Sequence, residues 1–168
     1  MSSIQAIASE LALNVGEQAR VWHRLLELSM VQHEALRVQD VHTVHAVLQE
    51  IEITMLERSR TEVRRGVLLA QAAAVLGVPL ESITRDVISA HCDPATAERL
   101  RVAAEELRSL IVELDAIVHR NTTLLEQELS IIEVMVKGAT VDTTQRATYG
   151  KQGTQTEAPR LRLLDAQV

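Results

Sequence analysis

Residues 93–138 read DPATAERLRVAAEELRSLIVELDAIVHRNTTLLEQELSIIEVMVKG, and this stretch decides the fold. Steps of four and three from Leu100 reach Leu100, Ala104, Leu107, Ile111, Leu114, Val118, Asn121, Leu125, Glu128, Ile132 and Met135. All but Asn121 and Glu128 are apolar. A second column, seven apart, adds Ala103, Leu110, Ile117, Leu124 and Ile131. Three apolar columns per heptad make the broad face of a bundle helix rather than a narrow two-stranded seam. Asp93 suits the N-cap, and Pro94 suits the first helical position, where its missing N–H costs nothing. Lys137 and Gly138 predict the end: a cation near the carbonyl pole, then a residue free to turn left-handed. A rod of this length is on the order of 65 Å long.

The rest of the composition agrees with helices packed on helices. The chain has 168 residues, the length of one domain, with no Phe, one Trp and one Tyr. So few aromatics disfavour a compact β-sandwich or an aromatic-lined pocket. Ala, Leu, Val, Ile, Glu and Arg dominate, as helices prefer. The net charge of −6 argues against a nucleic-acid partner, which needs a basic face, and against an anionic membrane surface. A single Cys rules out an intrachain disulfide, and reducing cytoplasm is the simplest compartment. The first residues have neither the cationic region nor the apolar core of a signal peptide. The most apolar run, residues 67–80, is too short to span a bilayer and contains Gln71. No membrane insertion is expected.

Upstream, a first helix is expected over residues 3–39. Its stripe is Leu11, Val15, Gln18, Trp22, Leu25, Ser29 (or Leu28), Gln32 and Leu36. The three polar interruptions predict looser packing than in the last helix. Gly16 costs roughly 1 kcal/mol against Ala there, and either a close crossing or a solvent-side position accounts for it. A break near Asp40 rests on phase. The first stripe continues onto Gln39, Thr43, Ala46 and Glu50, whereas the next apolar set is Val44, Leu48, Ile51 and Met55. Asp40 can cap a new helix; one uninterrupted helix is the alternative. The second helix runs over residues 41–76 and stops at Gly77 and Pro79. Its middle carries Glu57, Arg58, Arg60, Glu62, Arg64 and Arg65. That reads as a solvated stretch laced with i,i+4 pairs, or as an arginine face for an acidic partner. Leu80, Ile83, Val87 and Ile88 predict one short helix. Residues 140–156 are rich in Thr, Gln and Gly, which cannot bury enough surface to offset ordering. The expected fold is therefore all-α: an elongated antiparallel bundle of three long helices plus one short helix over residues 1–138. A flexible C-terminal tail follows over residues 139–168.

Chemistry is sparse. His42 and His45 are three apart and His91 neighbours Cys92, but neither pair has a third and fourth ligand, so no metal or other cofactor is expected. Cys92 lies in a turn with no orienting group for a thiol nucleophile. The run Gly150-Lys151-Gln152-Gly153 has no strand before it or helix after it and is no phosphate loop. Glu105 and Glu106 fall on exposed helix faces. No catalytic residue is assigned, and an enzyme is not expected. Asn121 and Glu128, polar within the seam, have two readings. A buried Asn fixes register between helices; alternatively, a face broken by polar residues is a reversible groove for an amphipathic helix.

The run His119-Arg120-Asn121-Thr122-Thr123-Leu124-Leu125-Glu126, followed by a helical stretch, a polar spacer and Thr148-Tyr149-Gly150-Lys151-Gln152-Gly153, resembles the FlgN family of flagellar export chaperones. Asn121, Leu124, Leu125, Tyr149, Gly150 and Gly153 occupy that pattern, while the tail segment over residues 160–164 matches no family feature. The resemblance implies a cytoplasmic protein that binds the C-terminal helices of hook-associated (hook–filament junction) proteins. It would prevent their premature assembly and deliver them to the type III export gate. The implied cargo-binding residues are Asn121 and the face around Leu124, Leu125, Ile131, Ile132 and Met135. Tyr149, Gly150 and Gly153 look like the gate-docking element. Such a chaperone is expected to be a monomer or weak homodimer. The rival expectation is a coiled-coil scaffold or adaptor that self-associates through the same face.

Overall fold

The computed structural model describes the backbone of residues 3–146 and the side chains of residues 3–137. Among these residues there are four α-helices and no strand: α1 (Ile4–Arg37), α2 (Val41–Leu76), α3 (Arg85–Ser89) and α4 (Pro94–Arg146), with a 3-10 turn at Leu80–Ser82. The chain divides into two compact units, Met1–Leu125 and Glu126–Val168, and the division falls within α4.

Local chemistry accounts for each boundary. Ser3 caps α1, its hydroxyl accepting from the Ala6 N–H at 3.3 Å. The phase break predicted at Asp40 is real. Gln39 takes a left-handed φ of 57°, and the Asp40 N–H donates to the Ala35 carbonyl at 2.9 Å. Asp40 then caps α2 through the Thr43 N–H at 3.1 Å and the Thr43 hydroxyl at 2.6 Å. At the far end Gly77 adopts φ 66°, where a Cβ is disfavoured, and its N–H donates to the Ala73 carbonyl. Asp93 caps α4 by accepting from the Thr96 N–H and hydroxyl, both at 2.9 Å.

The expected short helix is present but shorter, and one helix end needs correcting. The short helix predicted from Leu80, Ile83, Val87 and Ile88 is a 3-10 turn followed by the five-residue α3. Ile83 and Thr84 are extended between them, because the Thr84 hydroxyl caps the Val87 N–H at 3.2 Å and restarts the helix there. The last helix does not stop at Gly138; it runs on to Arg146. A lysine–glycine pair permits a stop without enforcing one, since a helical Gly costs only about 1 kcal/mol, and no proline follows before Pro159. The remainder of the expected tail, with Tyr149, Gly150, Gly153 and residues 160–164, lies outside the described residues.

Within the first unit the helices run up, down and up. Gln5 meets Asp93 and His33 meets Asn121, both pairs 88 residues apart, so α1 and α4 are parallel and in constant register. Gln18 meets Glu62 and Arg24 meets Glu50, so α2 is antiparallel to α1. Two apolar clusters form the core. One gathers Ile7, Leu11, Val15, Leu68, Ala72, Ile88 and Leu100; the other gathers Leu25, Leu114 and Ile117 with Trp22 and Ile51 against them. A polar layer lies between them, where Asn14 and Gln18 both donate to the Thr61 carbonyl, at 3.2 and 3.3 Å.

Candidate functional site

The seam of α4 that faces the bundle is Leu100, Ala103, Leu107, Leu110, Leu114, Ile117, Asn121 and Leu124, all buried or half-buried. Asn121 is 3% exposed, and every polar atom of its side chain is engaged by α1. Its Nδ2 donates to the Ser29 carbonyl at 3.0 Å and to Gln32 Oε1 at 2.9 Å. Its Oδ1 lies 2.9 Å from His33 Nδ1, and because an amide oxygen only accepts, His33 carries its proton on Nδ1. The register reading of Asn121 therefore describes this conformation; its side chain offers a partner no surface here. Leu124 is half-buried one turn further on, and Leu125 is 41% exposed.

In the second unit, Leu129, Ile131, Ile132, Val134, Met135 and Val136 are all exposed, Met135 to 67%. At about 100° per residue these positions cover an arc of roughly 220°, and Glu126, Ser130, Glu133 and Lys137 form a polar stripe on the remaining side. So broad an apolar face left in water is one that a partner would cover.

The Arg-rich middle of α2 is only partly the solvated stretch that its composition predicts. Arg65 pairs with Glu62 at 2.5 Å within the helix, but Arg64 reaches Glu17 of α1 at 3.9 Å. Arg58 stacks over Trp22 of α1, 5.3 Å from the ring centroid. A shallow depression of about 410 Å³ between α1 and α2 is lined by Glu17, Arg20, Val21, Arg24, Glu57, Arg60 and Thr61. Ser29 and Gln32 stand on the α1 stripe, where they read only as polar interruptions, while His33 lies off it and sequence columns missed it.

Two titratable groups at the start of α4 are shifted by their surroundings. The Asp93 carboxyl is held below the usual carboxylate range by the Thr96 backbone N–H, then by the Thr96 hydroxyl, with a smaller contribution from Gln5. Burial, then the charge of Asp93, pushes the Cys92 thiol up, away from the thiolate a nucleophile needs. Among the described residues no group of three or more His, Cys, Asp or Glu side chains could hold a metal ion. Among the same residues no helix is long and apolar enough to cross a membrane.

The family model described as FlgN protein matches residues 1–157. The chain belongs to the FlgN family. Comparison with curated proteins and with solved structures gave no match. FlgN proteins are chaperones of flagellar biogenesis rather than enzymes. In this FlgN-family chain the motif's Asn121 and Leu124 turn into the bundle while Leu125 turns out.

Proposed function

We propose that this protein is a cytoplasmic export chaperone that covers the C-terminal amphipathic helices of hook-associated flagellar proteins and hands them to the export gate. The observation that carries the reading is the broad exposed apolar face of residues 129–136 on a FlgN-family helix. In water such a surface is an aggregation liability unless a partner helix covers it. Leu125 in the first unit and Ile131, Ile132 and Met135 in the second are the proposed contact residues, with Leu124 supporting Leu125. Asn121 acts indirectly, by holding α4 in register with α1. Tyr149, Gly150 and Gly153 are proposed as the gate-docking element, since a lone tyrosine gives a large rigid contact at low ordering cost.

Titration of the protein with the C-terminal segment of a hook-associated protein from the same genome tests this. Leu125→Asp and Ile132→Asp should each weaken binding by roughly tenfold, as loss of a buried interface anchor does. Undiminished affinity in both would remove the proposed contact face. Tyr149→Ala should lower affinity for the gate and spare the cargo; equal losses would refute that division of labour.

A further inference from the structure

Within the first unit, apolar side chains remain open along the flank where α2 and α4 meet. On α4, Ile111, Val118 and Leu125 recur every seven residues, each one position beyond the buried seam. On α2, Leu48 (42% exposed) and Met55 (40%) stand one position beyond the buried Val47 and Thr54. The register of the bundle aligns the two columns. The constant 88-residue offset of α1 and α4, combined with the Gln18–Glu62 and Arg24–Glu50 contacts, puts Met55 level with Ile111 and Leu48 level with Val118. Packing agrees. Ile51, between Leu48 and Met55, lies against the cluster of Leu114 and Ile117, which sit between Ile111 and Val118. Ile111 also shares a cavity with Glu62, the next member of the Met55 column.

Between the members of each column, about 40–60° further round the helix, stands an exposed carboxylate, Glu52 on α2 and Asp115 on α4, at nearly the same level. Neither forms an ion pair or hydrogen bond among the described residues. The strip thus has an apolar floor and two uncompensated negative charges across it, which favour a cation between them.

We propose that this flank is a docking strip for a cargo helix. Its occupant has apolar residues repeating every seven positions and a lysine or arginine beside them, seated between Glu52 and Asp115. The proposal rests on the chaperone reading above and extends the contact surface onto α2. A second copy of the chain is the poorer occupant. It would bring the same carboxylates against these, with no cation to seat between them.

The test is calorimetric titration of the full-length protein with a synthetic peptide of the C-terminal segment of a hook-associated protein from the same genome. The double variant Leu48→Asp/Met55→Asp should bind about tenfold more weakly with its helical circular dichroism retained. If that variant loses helicity, Leu48→Ala/Met55→Ala gives the same reading with less disturbance. Glu52→Lys/Asp115→Lys should weaken binding several-fold at low salt, with the difference fading at about 1 M salt, where screening is short-ranged. Unchanged affinity in the α2 variants while Ile132→Asp weakens binding would overturn the strip and leave the chaperone reading standing. No binding by the unmodified protein would count against the chaperone reading itself. A homodimer that Leu48→Asp/Met55→Asp dissociates would overturn the proposal in favour of self-association.

Discussion

Asn121 shows how one polar residue in an apolar seam earns its place. Its amide meets a backbone carbonyl, a glutamine oxygen and an imidazole N–H of α1, so no buried polar atom of the side chain is left unpaired. Asn121→Ala removes three bonds and strands Gln32 and His33. It should cost about 1–3 kcal/mol, read as a lower urea midpoint at unchanged slope; an unaltered midpoint would refute the node. Asp93 works at the helix start. Its folded-state pKa lies below its unfolded value, so its stabilisation is fully present above the unfolded pKa of about 4 and is lost as pH falls through the folded one. Wild type should therefore be more heat-stable than Asp93→Asn at neutral pH, and the two melting temperatures should converge in strong acid. A pH-independent difference would contradict the cap's electrostatic role.

Elements were legible where a stop or start has a local cause. Asp40, Gly77 and Asp93 mark their boundaries because capping and left-handed turns are short-range chemistry. The end of α4 was not legible, because Gly138 tolerates the helix as well as the turn. Nor was the role of Gln18, Ser29 and Gln32. As a single column they read as flaws in the α1 stripe. Only the register against α2 and α4 reveals Thr61 and Asn121 as their partners. The same limit applies to the candidate site. The apolar identity of Leu124 and Leu125 is plain in sequence, but which of them turns inward depends on the packing partner. Gly16 and Gly66 sit in helix interiors with nothing within 4 Å of where a Cβ would stand. Solvent-side placement is thus the reading of Gly16 that holds. Gly66→Ala should stabilise the protein by roughly 0.5–1 kcal/mol, raising the melting temperature by about 1–4 °C. A decrease would reveal a contact that α2 makes through that face.

At the scale of the molecule, polar layers fix the register of α1 against α2 and α4 in the first unit, and in the second unit a helix exposes a broad apolar face. Exposed apolar surface of that extent belongs to a protein that acts by being covered, which is the work of a chaperone and agrees with membership of the FlgN family. The most direct test is size-exclusion chromatography with light scattering, alone and with the C-terminal segment of a hook-associated protein from the same genome. A monomer or weak dimer alone and a one-to-one complex with the segment are expected. A tight homo-oligomer that ignores the segment would contradict it and would make the same helix a self-association seam.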